Sequence, residues 1–190
     1  MAGEELVLSM LEAGDVKQAA TTFLRTYGPS VLRYLRSLLR EEGAVDDAFS
    51  LFAEWAWTGI GRFRGDSSLR TRAFGVAWNA ARRVSDEAWR KHKERLQTHD
   101  ASKLAQEIRA TSALELDRQS DKLEELRREL SADEQNLLVL RIDQQLSWEE
   151  IAAILADSGE RVSLPVLRKR FERLKERIGQ LARKRGLVKR

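Results

Sequence analysis

The sequence predicts an all-α protein made of two small helical domains joined by a linker, the second of them a helix-turn-helix. Three observations predict it. Apolar residues recur at three- and four-residue intervals through several stretches, and no stretch shows the strict alternation of a strand. The composition is rich in Ala, Leu, Glu and Arg, all good helix formers. Only two prolines, Pro29 and Pro165, occur in 190 residues, so long helices go uninterrupted.

The elements follow in order. Pro29, just after Tyr27-Gly28, fits the first turn of a helix, where its missing N–H is harmless. From there Val31, Leu35 and Leu38, flanked by Leu32 and Leu39, keep helical spacing until Glu41-Glu42-Gly43 interrupts. A second helix carries Val45, Phe49, Phe52 and Ala56 on one stripe. Gly59, Gly61 and Gly65 mark a loop, after which Asp66, Ser67 or Ser68 can accept a bond from the free amides of a third helix. That helix aligns Leu69, Ala73, Val76, Ala80 and Val84 and extends to about Arg95, closing a domain over 1–95. Residues 96–120 are polar and weakly periodic, a partly helical linker. In the second domain, 121–190, Ser131 caps a helix bearing Leu137, Leu138 and Ile142. Ser147-Trp-Glu-Glu150 has the form of a capping box, and Trp148, Ile151, Ala152 and Leu155 follow it with helical spacing. The last helix opens near Pro165, with Leu167, Phe171, Leu174, Ile178 and Leu181 on its inner stripe.

Composition excludes several classes. The absence of cysteine removes disulfides, thiolate catalysis and Cys-ligated zinc. No apolar run reaches the roughly 20 residues of a membrane span, and the Met1-Ala-Gly-Glu-Glu start lacks a basic signal region, so a cytoplasmic protein is expected. His92 and His99 have neither metal-ligand spacing nor a nucleophile partner, and the carboxylates track helix surfaces, so no enzyme, cofactor, metal or small-molecule substrate is expected. Gly59-x-Gly61-x-x-x-Gly65 misses the dinucleotide-binding spacing and lacks a preceding strand.

The charge is distributed in blocks. The total is only +4, yet residues 1–61 carry −4, 62–95 carry +6, 96–160 carry −8 and 161–190 carry +10. Basic blocks bind phosphates by releasing counterions, without regard to sequence. In the last helix the outer face presents Arg168, Lys169, Glu172, Arg173 and Glu176, with Arg170 and Lys175 on its flanks. The second helix of a helix-turn-helix lies in the major groove, where arginine or lysine grips a guanine edge and Glu172 could accept from cytosine. The connection Ala156–Ser163 is longer than the usual three or four residues. In the first half, Trp55-Ala-Trp57, Phe63-Arg64 and Trp78-Asn79 mix aromatic rings with arginines, a pattern suited to unpaired bases stacked on rings above a cationic track and equally to an ordinary helical core.

These strings resemble a known family. Tyr27-Gly-Pro-Ser-Val-Leu-Arg-Tyr-Leu-Arg36, Asp46-Asp47 with Ala56-Trp57, Arg62-Phe-Arg-Gly-Asp-Ser-Ser-Leu-Arg-Thr71 and Ala77-Trp-Asn79 are similar to the promoter-melting domain of bacterial sigma factors. Leu146-Ser-Trp-Glu-Glu-Ile-Ala-Ala-Ile-Leu155 resembles the first helix of that family's promoter-binding helix-turn-helix. Two such domains with little between them resemble the extracytoplasmic-function group. The resemblance implies a sigma factor that binds core RNA polymerase, recognises minus-ten and minus-thirty-five promoter elements and promotes strand opening. Asp46, Asp47, Ser50, Leu51 and Glu54 would dock on the clamp helices of the polymerase β′ subunit, and the second domain would meet the β flap. Phe63, Arg64, Asp66 and Ser67 would capture a flipped base of the non-template strand, with Trp78, Asn79, Arg82 and Arg83 along that DNA. Arg168, Lys169, Arg170, Glu172 and Arg173 would read the minus-thirty-five duplex. An anti-sigma partner is implied as well.

The chain departs from the family pattern in places. Ser50-Leu51 stands where Gln-Glu is usual, and Thr71-Arg-Ala-Phe74 where Thr-Trp-Leu-Tyr is usual. About five extra residues, around Asp157–Arg161, lengthen the turn before the last helix. Opening a duplex costs on the order of 1.4 kcal/mol per stacking step, and extruding a base costs a few more. One loop offsets only part of that, so the isolated protein is expected to open promoters poorly. Two other functions fit parts of the sequence: a helix-turn-helix regulator with an amino-terminal dimerisation or sensing domain, and a helical adaptor without a nucleic-acid role. A regulator has no need of Phe63-Arg64 beside a cationic helix.

Overall fold

The computed structural model describes residues 2–85, 98–113 and 129–186, and no strand occurs among them. The chain divides into two compact units, 1–117 and 118–190. The expected extension of the third helix to Arg95, with His92, lies outside the described residues, as do 114–128 of the linker and second domain.

The first unit holds α1 (Ala2–Glu12), α2 (Val16–Leu38), α3 (Glu42–Gly59), a 3-10 turn (Ile60–Arg62), α4 (Leu69–Ser85) and α5 (His99–Ala113). The start of α2 corrects the sequence expectation. Pro29 does not open a helix but lies inside one that begins thirteen residues earlier. Asp15 supplies the cap by accepting from the Gln18 amide at 3.1 Å, and Gly14 turns the chain into it at φ +77°. An interior proline removes one backbone bond, a loss that the buried packing on both sides of it offsets. Phe23, Leu24, Val31, Leu32, Tyr34 and Leu35 are all 0–1% exposed. Phe23 meets Phe52 of α3 at 6.5 Å between ring centres, and Tyr34 stands edge-on to Phe74 of α4 at 5.3 Å. Full burial stabilises each such side chain by about 1.5–3 kcal/mol.

Residues 98–113 fall in the stretch read as a partly helical linker, and here they hold a full helix, α5 (His99–Ala113), packed on α2 and α3. Ala101, Leu104, Ala105 and Ile108 recur at i, i+3, i+4 and i+7 and are buried. Gly28 makes room for them: a Cβ there would sit 2.8 Å from Ile108 Cδ1. The Tyr27-Gly-Pro string therefore supplies a helix-packing notch at Gly28 rather than a helix start.

The second unit contains α6 (Ala132–Leu138), which continues as one π-helical turn (Val139–Asp143), then α7 (Trp148–Asp157) and α8 (Leu164–Lys184). Ser131 and Ser147 both form complete capping boxes, with Glu134 and Glu150 returning bonds to the cap amides at 2.8 Å. The π turn rotates the register. Val139 and Leu140 go inward, and Ile142, expected on the apolar stripe, is 53% exposed. Helix α7 ends in a Schellman-type closure, Glu160 N–H to Leu155 O and Gly159 N–H to Ala156 O, both 2.9 Å, with Gly159 at φ +89°. The six-residue connection 158–163 then leads to α8. Leu167, Phe171 and Leu174 pack inward, with Trp148 edge-on to Phe171 at 5.4 Å.

Candidate nucleic-acid interfaces

The glycine-marked loop before α4 is built from local bonds and one distant one. Phe63 ends the 3-10 turn by donating its amide to Ile60 O at 3.0 Å, and its ring is half-buried. Gly65 takes φ +79°, which only glycine adopts cheaply, and exposes Arg64 and Asp66 on either side. Among the three cap candidates it is Ser68 whose hydroxyl accepts the Thr71 amide, at 3.0 Å. Ser67 turns its hydroxyl to Ser68 O instead. The Leu69 amide donates to Glu4 of α1 at 2.8 Å. At the loop's other end, the Val16 side chain lies 3.1 Å from where a Cβ on Gly61 would sit. The loop thus leads into a helix start bonded to α1, and its other end lies against the start of α2.

Helix α4 carries the cationic track. Arg70, Arg82 and Arg83 are exposed, Arg72 and Asn79 half-buried. Arg72, Asn79 and Arg83 follow one another at intervals of seven and four, along one side of the helix. Trp78 is not on that track. It is 3% exposed, with its indole N–H buried and without an acceptor, so it is a core residue supporting the helix rather than a stacking surface. Sequence reasoning missed Glu4, Arg70 and Arg72 as members of this region. The arginines flank a strongly patterned loop and were legible; Glu4 lies 65 residues away and left no local signal.

The expected polymerase-docking residues separate in the same way. Leu51 is 3% exposed and belongs to the core, while Asp46, Ser50 and Glu54 form an i, i+4, i+8 row on α3. That row faces α5. Arg109 donates to Ser50 Oγ at 2.8 Å and to Asp46 O at 3.1 Å, with the Asp46 carboxylate 3.6 Å away. Glu54 accepts from the Thr98 amide at 3.2 Å and the Thr98 hydroxyl at 2.5 Å. Asp47, half-buried, lies beside the row.

In the second unit Arg168, Lys169, Arg170, Glu172 and Arg173 are all exposed on α8, with Arg170 on the flank of its buried stripe. Arg170 pairs with Glu160 of the long connection and Glu172 with Lys175 at 2.8 Å. The lengthened connection therefore contributes a carboxylate to the flank of α8. Arg173 borders a cleft of about 420 Å³ with Asp133, Glu134 and Arg177 on its rim. Arg177 bonds both Glu134 oxygens, at 2.7 and 2.8 Å. Burial alone would raise the Glu134 pKa, but the Ser131 amide and hydroxyl and the Arg177 guanidinium outweigh it and hold the carboxyl below its ordinary value. Trp148 sits between Phe171 and the Arg141 guanidinium, 4.6 Å from its ring, and Arg141 also donates to Leu146 O at 2.7 Å.

Among the described residues no group of three or more His, Asp or Glu is gathered so as to hold a metal ion, and no helix is long and apolar enough to cross a membrane. What the geometry offers is two cationic helix faces, one beside a glycine-held loop and one on a capped helix pair. A curated protein is similar in sequence over most of the chain. The chain is 34% identical over 155 residues to RNA polymerase sigma factor YlaC of Bacillus subtilis (strain 168), covering 78% of this chain and 86% of that one. The chain belongs to the RNA polymerase sigma factor family. This bears out the resemblance read from the sequence: the protein is an RNA polymerase sigma factor, and sigma factors are not enzymes. No family model and no solved structure matches the chain.

Proposed function

We propose that this sigma factor, of the extracytoplasmic-function type, binds core RNA polymerase through the α3 face and selects promoters through both units. The α3 row Asp46, Ser50 and Glu54, with Asp47, docks on the clamp helices of β′, and the second unit meets the β flap. Phe63, Arg64, Asp66 and Ser67 take a flipped non-template base of the minus-ten element, and Asn79, Arg82 and Arg83 track that strand's phosphates. The α7–α8 pair acts as a helix-turn-helix, with Arg168, Lys169, Glu172 and Arg173 toward the minus-thirty-five duplex and Arg170 bridging to the connection.

The observation that carries this reading is the loop. Arg64 stands exposed beside a glycine at φ +79° and shortly before a helix lined with arginines, while Glu4 bonds the first residue of that helix and Val16 lies against Gly61 at the loop's other end. A fixed loop beside a cationic track can hold an extruded base without first paying to order itself. Run-off transcription with core polymerase on a genomic fragment library tests it. Discrete transcripts that depend on the protein and fall when Phe63 and Arg64 become alanine are expected; transcripts indifferent to both substitutions would refute the loop's role. An anti-sigma partner belongs to the same reading and would be recovered bound to the chain before induction.

A further inference from the structure

The proposed docking row on α3 is already occupied. Two sets of contacts join it to α5: Arg109 bonds Ser50 and approaches Asp46, and Thr98, just before α5, bonds Glu54 twice. Two more hold α5 on the neighbouring α2: Ile108 fills the notch at Gly28, and Lys17 pairs with Asp100 at 2.8 Å. The Arg109 guanidinium also stands 6.0 Å from the centre of the Phe49 ring. A chain tether would not need this set. It is an interface in miniature: an apolar seam of Ala101, Leu104, Ala105 and Ile108 with a polar pair at each end.

We propose that α5 is an internal occupant of the polymerase-docking surface, so that the free protein is closed and core polymerase binds only after α5 leaves α3. This rests on the reading that α3 is the docking face. The partner that fits is then defined by what α5 presents: a helix with small apolar residues on its seam and an arginine placed to reach Asp46 and Ser50. Apparent affinity for such a partner is the intrinsic affinity scaled by the fraction of molecules with α5 released. Loosening α5 should therefore tighten binding, the opposite of what loss of a structural helix does.

The test uses the full chain and core RNA polymerase. Arg109→Ala with Thr98→Val removes the guanidinium contacts at one end of the seam and the hydroxyl bond at the other, leaves the residue-98 amide on Glu54, and alters no α3 side chain. About tenfold tighter binding to core is expected, equivalent to ~1.4 kcal/mol. Hydrogen exchange supplies the second readout: amides of 99–113 should be protected in the free protein, less so in the variant, and exposed in the holoenzyme, while α4 amides stay protected throughout. Amides of 99–113 that remain protected in the holoenzyme, or a double variant that binds no tighter, would overturn the inference. Asp47→Arg separates the two claims. If it abolishes core binding while α5 stays protected in the wild-type holoenzyme, the docking face stands and the occluding role falls. If it leaves core binding unchanged, the docking reading fails and takes this inference with it.

Discussion

Glu4→Ala isolates a bond that joins the amino-terminal helix to the first residue of α4, just after the glycine-marked loop. The Glu4 carboxylate is half-buried and accepts the Leu69 amide at 2.8 Å, at the first residue of α4. A hydrogen bond to a charged group is worth about 1.5–3 kcal/mol, and a negative charge at a helix amino terminus adds about 0.3–1 kcal/mol. Partial exposure discounts the sum, which leaves an expected loss of roughly 1.5 kcal/mol. Glu4→Gln keeps an acceptor without the charge and should lose about 0.5 kcal/mol. Urea unfolding of the full chain, followed by tryptophan fluorescence, measures both. Amide exchange at Leu69 is the local readout and should accelerate about tenfold in Glu4→Ala, the equivalent of ~1.4 kcal/mol. The reasoning fails if Glu4→Ala unfolds at the wild-type urea concentration and Leu69 exchanges at its original rate. It also fails if Glu4→Gln costs as much as Glu4→Ala, because the charge would then contribute nothing.

Three further outcomes are expected. Phe63→Ala or Arg64→Ala in the holoenzyme should slow promoter opening, read with a fluorescent base at the minus-ten element, far more than closed-complex formation; equal loss in both would remove the strand-capture role. Arg173→Ala should weaken binding at one base pair of the minus-thirty-five element by about 1–3 kcal/mol if the contact is bidentate, whereas an equal loss on all sequences would make Arg173 a phosphate contact. Because the folded Glu134 pKa lies below the ordinary 4.5, its contribution to the second unit is present above that pH and disappears as pH falls through the lower folded value. Acid titration followed by Trp148 fluorescence should therefore show the second unit weakening below about pH 4.5, and Glu134→Gln should flatten that dependence.

Much of the fold was legible because it is written in local chemistry. Ser131 and Ser147 each have a glutamate three residues on, and both capping boxes form. The stripes Leu69, Ala73, Val76, Ala80, Val84 and Leu167, Phe171, Leu174 are buried as their spacing requires. What was not legible depended on distant partners. Pro29 reads as a helix start unless Asp15 is seen to have begun the helix already, and Gly28 has no evident role until Ile108 is seen to need its notch. Helix α5 hid because half its seam is alanine, which adds little to an apolar pattern, although Ala101, Leu104, Ala105 and Ile108 do keep the helical interval. The π turn that exposes Ile142 has no sequence signal. At the candidate sites, Arg64, Arg82, Arg83, Arg168 and Lys169 stand exposed as their charge demands. Trp78 and Leu51, chosen for their place in a motif, are in the core, because an apolar side chain on a helix follows the buried face unless something else fills it.

The most direct measurement is site-specific photocrosslinking from positions 64 and 168 in a promoter complex with core polymerase, resolved before and after opening. Position 168 should label duplex upstream at both stages, and position 64 should label the non-template strand downstream only once the strands have parted. Labelling of polymerase alone from both positions, or of duplex from position 64, would contradict a chain whose first unit holds separated strands and whose second holds paired ones.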